Sequence, residues 1–220
     1  VVAGTGTNDT SHVLRNTVNA CQAGADAVLV VTPYYNKATQ NGLIAHFTAV
    51  ADASTKPVIL YNVPGRTGCN LLPKTVAKLA EHPNIVGIKE ASGNMAQTVE
   101  ILHLCGDKID VYSGEDAINV PIMAMGGAGA ISVLSNLAPK EAVAMSDAAL
   151  AGDFATAAAW QCKLLPLIKA CFCEVNPIPA KAGVSALGFG QEHLRMPLTP
   201  MEPQNRAVLY EEMRKLGINV

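Results

Sequence analysis

Short apolar runs rich in β-branched residues recur along this chain, each followed by a longer stretch whose apolar positions fall three or four apart. The runs occupy residues 1–4, 27–31, 58–61, 85–89, 109–113 and 130–133. Their length and branching predict strands. Between them the period changes. Thr10 or Ser11 is placed to cap a helix reaching Ala23, and Leu43, Ile44, Phe47 and Val50 lay an apolar stripe along a helix over 38–53. Pro73 and Pro139 suit the first turn of helices reaching Leu79 and Leu150, because the proline ring presets φ and its missing N–H has no partner there. Strand–helix alternation of this kind predicts a parallel α/β sheet. The strands themselves alternate little, so the sheet is expected to be covered on both faces.

Beyond Ala151 the strand pattern stops. Helices are predicted over 153–173, 179–187 and 203–216, with the proline-dense connectors EVNPIP and RMPLTPMEP between them. The chain therefore reads as a β/α body over 1–151 followed by a helical region over 152–220. Six strands admit two architectures: an open doubly wound sheet, or a closed eight-unit barrel without its first two units. The glycine-bearing stretches do not mark a nucleotide site. GTGTND, beginning at Gly4, lacks the third glycine of a dinucleotide fingerprint, and MGGAGA, beginning at Met125, precedes a strand and has no following Walker lysine.

Composition narrows the function classes. Half of the 220 residues are hydrophobic, only 15% are charged, and the formal net charge is −2. With no run of Lys or Arg, a nucleic-acid surface is not expected, since neutralising phosphates takes clustered basic side chains. No stretch is apolar for long enough to cross a bilayer, and the N-terminus lacks a signal-peptide layout; a cytoplasmic protein is expected. The six cysteines and five histidines are dispersed. The cysteines read as buried small hydrophobes, with neither a metal site nor a disulfide framework expected.

The chemistry gathers where the strands end. Lys89 and Glu90 close the run Ile85, Val86, Gly87, Ile88. Tyr61 and Asn62 close the run before them and lead into VPGRTG with Arg66. Thr32, Pro33, Tyr34, Tyr35 and Asn36 follow the run over 27–31, and Ser113, Gly114, Glu115 and Asp116 that over 109–113. In a parallel sheet all these ends lie on one edge of the molecule, so Lys89, Tyr61, Tyr35 and Arg66 are expected to converge. A lysine carried on a buried strand is desolvated, which lowers its pKa and frees a neutral amine to attack a ketone. A tyrosine beside it can pass protons, and an arginine can grip a carboxylate through its planar fork. This set points to a class I aldolase or related lyase acting on a keto acid. Glu90 is expected on the opposite face in a structural ion pair.

The segments GTGTNDT, VTPYYNK, YNVPGRTG, GIKEASGN, YSGEDA, GGAGAISV and NPIPAK occur in this order along essentially the whole chain. In that order they resemble the dihydrodipicolinate synthase family of pyruvate-dependent aldolases. The resemblance implies a TIM (β/α)8-type barrel, here shortened to about six βα units, with C-terminal helices. It implies an enzyme that condenses pyruvate with aspartate semialdehyde, on the route to lysine and diaminopimelate, without a cofactor. Residue by residue, it makes Lys89 the Schiff-base lysine and Tyr61 a proton-shuttling tyrosine. Tyr35 is the tyrosine given to a neighbouring subunit's site in a homodimer or homotetramer. Arg66 binds the semialdehyde carboxylate, and Gly114 and Ile131 line the pyruvate pocket. Tyr34 and Asn8 resemble parts of the family's lysine feedback site, with His12 where lysine-sensitive members often carry glutamate. The family pattern also places a Gly-Thr-Thr-Gly-Glu motif, which binds the pyruvate carboxylate and completes the relay, ahead of GTGTNDT; no such motif occurs in these 220 residues. Two alternatives stay open: a weakly active or inactive homologue serving only as an oligomer subunit, and an aldolase like N-acetylneuraminate lyase.

Overall fold

A computed structural model describes all 220 residues. They form two compact units, Val1–Ile131 and Ser132–Val220. The first holds β1 (Val2–Gly4), α1 (Thr10–Gln22), β2 (Ala27–Val31), α2 (Gln40–Ala53), β3 (Val58–Asn62), α3 (Pro64–Thr67), α4 (Pro73–Leu79), β4 (Ile85–Glu90), α5 (Met95–Cys105), β5 (Asp110–Ser113), α6 (Asn119–Ala124) and β6 (Gly129–Ala130).

The helix starts are set by short polar side chains. Asp9, not Thr10 or Ser11, caps α1 by accepting from the His12 N–H at 3.0 Å. Thr39 and Asn94 do the same for α2 and α5, and Pro73 opens α4. Each cap satisfies an N–H that the first helical turn leaves unpaired. The sixth strand is shorter than the apolar run implied: only Gly129 and Ala130 pair, and residues 134–136 turn into a 3-10 helix.

All six strands are parallel and lie in the order β1-β2-β3-β4-β5-β6. This order decides between the two architectures. A doubly wound sheet reverses direction at a switch point, whereas a barrel adds each strand beside its predecessor. The winding here is that of a (β/α) barrel, with β1 and β6 as the outer strands.

Cover on the two faces of the sheet is unequal, contrary to the expectation of a fully sandwiched sheet. In β2, Val28 and Val30 are fully buried while Ala27, Leu29 and Val31 are half-buried. The buried set packs with Leu60 and Ile88 against Leu43, Phe47, Val50, Val76, Leu79 and Ile101 of the helices. Truncating a side chain such as Phe47 in this core to alanine costs about 3–5 kcal/mol. The half-buried face carries Tyr61 and Lys89.

The second unit is helical: α7 (Pro139–Leu150), α8 (Phe154–Ala170), α9 (Ile178–Ala186) and α10 (Pro203–Lys215). Gly183 on α9 sits so close to Leu137 that an added Cβ would stand 2.5 Å from Cδ2. Arg206 on α10 donates to both oxygens of Glu192, at 2.6 and 2.8 Å. No two cysteines are joined in a disulfide; Cys69, Cys105 and Cys171 are buried as expected, but Cys162 and Cys173 are exposed.

Candidate functional site

The strand register builds one row of side chains across the sheet. Val31 pairs with Tyr61, Tyr61 with Lys89, and Lys89 with Tyr112. In-register residues of a parallel sheet point to the same face, and the next residues along point to the other. The Lys89 ammonium accordingly lies 4.4 Å from the centre of the Tyr61 ring.

Three chain exits close around that pair. After β5, Gly114 donates its N–H to the Glu90 carbonyl at 2.8 Å, which draws it against the lysine stem. A Cβ there would stand 2.9 Å from both Cγ and Cε of Lys89 and 2.7 Å from the Ala91 Cβ. After β6, the Ile131 N–H donates to the Ser113 carbonyl at 2.8 Å. After β3, the single turn α3 carries Arg66 and ends at Gly68, whose φ of 68° is the left-handed conformation that glycine adopts without strain. That turn is tied to the end of β2, where Thr32 donates to the Thr67 hydroxyl at 3.2 Å.

Burial governs the electrostatics. It pushes the Lys89 pKa down, Asp116 opposes the fall as a nearby anion, and the Arg66 guanidinium adds to it as a like charge. It also pushes the Tyr61 phenol up, with Arg66 acting the other way. The amine is thus biased towards its neutral, nucleophilic form, and the phenol towards its proton-holding form. A guanidinium that influences both groups is positioned to receive an anionic substrate group beside them.

Lys89, Tyr61, Arg66 and Gly114 come together in this way, with Ile131 at the adjoining strand exit. Tyr35 does not join them. Its backbone N–H donates to Thr67 at 3.2 Å, but at a φ of 75° the residue turns out of the fold and is 87% exposed. Asn8 and Tyr34 meet through Asn36, which donates from its side chain to the Asn8 carbonyl and from its backbone to the Tyr34 carbonyl, both at 3.0 Å. His12 lies in the first turn of α1, exposed.

Glu90 departs from expectation. It is on the opposite face, as alternation requires, but it forms no ion pair. At 1% exposure its Oε2 accepts from Asn62 Nδ2 at 2.9 Å and Gln97 Nε2 at 3.4 Å, and its Oε1 from the Ser92 N–H at 2.6 Å. Nothing in the residue pattern marks these partners, because amides are as common in solvated turns as in buried networks. Asp116, 2% exposed and held by Asn119 Nδ2 at 3.1 Å, also went unassigned. Its place just past a strand end was the available signal. No group of three or more His, Cys, Asp or Glu lies close enough to hold a metal ion, and no helix is long and apolar enough to cross a membrane.

A singly wound parallel sheet with a desolvated lysine and a tyrosine at its strand ends has the architecture of the barrel enzymes that capture carbonyl compounds through an amine. Comparison with known proteins makes the assignment finer. The chain belongs to the dihydrodipicolinate synthetase family, whose model matches residues 1–216. It is 52% identical over 218 residues to the 4-hydroxy-tetrahydrodipicolinate synthase of Geotalea uraniireducens, covering 99% of this chain and 75% of that one. Among solved structures, dihydrodipicolinate synthase from Aquifex aeolicus superimposes with a TM-score of 0.97 at 42% identity, covering 100% of this chain and 75% of that one. The chloride-inhibited enzyme of Acinetobacter baumannii, complexed with pyruvate, gives 0.96 at 43% identity, covering 99% and 75%.

Proposed function

We propose that this chain condenses pyruvate with aspartate semialdehyde to 4-hydroxy-tetrahydrodipicolinate, a step of lysine and diaminopimelate synthesis, through an imine on Lys89. The observation that carries the reading is the half-buried amine 4.4 Å from the Tyr61 ring, with its pKa pushed down by desolvation. The neutral Lys89 amine adds to the pyruvate ketone carbon, and the carbinolamine loses water to give the imine. Tyr61 relays the protons of these steps. Loss of a methyl proton turns the imine into an enamine, whose carbon attacks the semialdehyde aldehyde and forms the new C–C bond as the aldehyde oxygen takes up a proton. The substrate's own amino group then adds to the imine carbon, closes the ring and expels Lys89. Arg66 holds the semialdehyde carboxylate during attack, and Gly114 and Ile131 line the pyruvate side.

The exposed ring of Tyr35 supports a homo-oligomer, dimer or tetramer, in which this residue serves a second copy's site. Asn8, Tyr34 and His12 are the proposed lysine feedback position, and the enzyme is proposed to work in the cytoplasm. Borohydride with pyruvate should add a covalent mass to the intact chain, and Lys89→Arg should abolish it. No adduct on the unchanged chain would refute the imine. An adduct without turnover of aspartate semialdehyde would confine the chain to the first half of the reaction.

A further inference from the structure

On the face of the sheet away from the site, a buried polar network repeats the site's own geometry one residue further along. Asn62 follows Tyr61 and Glu90 follows Lys89, and the two pairs are in register, Tyr61 with Lys89 and Asn62 with Glu90. Asn62 is wholly buried and Glu90 nearly so. Asn62 Nδ2 donates to Glu90 Oε2 and to Asn70 Oδ1, both at 2.9 Å, while its Oδ1 accepts from the Leu71 N–H at 2.9 Å. Asn70 and Gln97 exchange a reciprocal amide pair at 2.8 and 3.1 Å, and Gln97 closes the ring on Glu90. Gln40 holds the Asn70 carbonyl at 2.8 Å.

We propose that Glu90 is a positioning residue for Lys89, acting through the strand ends it clamps; this rests on the reading of Lys89 as the imine-forming lysine. Three features carry the inference. Every partner of the two Glu90 oxygens is an N–H, from Asn62, Gln97 and Ser92, so the side chain serves as a pure acceptor that no neutral amide can replace in place. Its bond to Ser92 sets the turn that follows β4, and the backbone there is held from both sides, by Ala91 N–H to Asn62 O at 2.9 Å and Gly114 N–H to Glu90 O at 2.8 Å. A Cβ on Gly114 would stand 2.9 Å from Cγ and Cε of Lys89 and 2.7 Å from the Ala91 Cβ, so Gly114 lies against the lysine stem and Ala91 lies against Gly114. The carboxylate thus fixes, from behind the sheet, both the lysine's own backbone and the walls beside it. A buried acceptor among donors rigidifies its surroundings only while fully satisfied.

Glu90→Gln keeps the size of the side chain but turns one N–H2 towards a donor. The test follows formation of the Lys89–pyruvate imine, trapped with borohydride and read as intact mass against time over a range of pyruvate concentrations, well below the melting temperature of each protein. The expected result is a maximal rate per folded molecule about 10- to 100-fold lower, the scale on which misplacing a reacting group by about 1 Å slows a reaction. The pyruvate concentration for half-maximal rate should stay within about threefold of the unchanged chain, since a displaced nucleophile loses rate and not ground-state binding. A lower melting temperature with an unchanged rate per folded molecule would mean that Glu90 only stabilises the fold, and would overturn the proposal. Should Glu90→Gln not fold, Gln97→Leu removes the longest of the bonds to the carboxylate, together with the amide pair to Asn70, and leaves the Asn62 and Ser92 donors in place. A rate loss of about threefold or more then supports the proposal, and no loss overturns it. Absence of any adduct on the unchanged chain refutes the Lys89 reading and this one with it, whereas an adduct formed equally fast by the variant refutes this one alone.

Discussion

Gly114→Ala puts a single methyl group against the lysine stem, and its consequences can be worked from distances. The φ of Gly114 is not positive, so alanine meets no backbone strain and the whole effect is contact. The new Cβ would stand 2.7 Å from the Ala91 Cβ and 2.9 Å from Lys89 Cγ and Cε. Carbon atoms rest about 3.5–4.0 Å apart, so about 1 Å of movement is needed. Ala91 and Gly114 are both pinned through backbone hydrogen bonds of 2.9 and 2.8 Å, so the lysine stem can yield, but the contact with the Ala91 Cβ is relieved only by moving backbone. Because the lysine contact yields and the Ala91 contact does not, the stability cost should span the usual range for an overpacked site, about 1–3 kcal/mol, or roughly 2–12 °C in melting temperature for a chain of this size. The amine, however, moves by about 1 Å, and that displacement can cost about 100-fold in rate. The expected signature is lopsided: a modest fall in melting temperature beside a collapsed rate of imine trapping. A variant that traps pyruvate at the rate of the unchanged chain would refute the placement of Gly114 against the nucleophile.

The charges around Lys89 make opposite predictions for pH. Removing the like charge with Arg66→Met should raise the lysine pKa and move the inflection of the imine-formation rate to higher pH; Asp116→Asn removes the opposing anion and should move it lower. His46 is buried, its Nδ1 lies 2.8 Å from the Thr10 hydroxyl, its Nε2 has no partner, and its pKa is lowered by burial. As pH falls through about 6.5 the unfolded chain gains a proton that the folded one resists, so stability drops on the acid side. Chemical denaturation from pH 7 to pH 5 should show this acid loss shrink in His46→Phe. In the helical unit, Gly183→Ala drives a methyl to 2.5 Å from Leu137 and should cost about 1–3 kcal/mol without slowing imine trapping.

Lys89 was legible from its sequence because a long cation at the end of Ile85-Val86-Gly87-Ile88 contradicts the apolar run that carries it. Tyr61 and Arg66 were legible by their place at strand ends, where a parallel sheet gathers polar groups whatever their separation in sequence. Strand order was not legible, since six apolar runs fit two windings and only the pairing separates them. Glu90 shows a second limit. Alternation fixed its face correctly, but not its company: Asn62, Asn70 and Gln97 look like turn and helix-surface amides until the fold buries them together. Gly114 could be matched to a family pattern, yet the reason for glycine, contact with a side chain 25 residues earlier, exists only in three dimensions.

The sequential strand order also bears on how the molecule is made. Every ladder joins a strand to the one synthesised just before it, with partners between the 17 residues separating Tyr112 from Gly129 and the 30 separating Val28 from Val58. Closing such loops costs little entropy, and no strand needs a distant mate before it can dock. The sheet can therefore grow at one edge as the chain emerges from the ribosome. Lys89 docks with β4 beside Tyr61, but Gly114 and Ile131 come only with the following two strands. The amine stays wet, charged and chemically quiet while it is being built, and becomes reactive only when its last neighbours arrive.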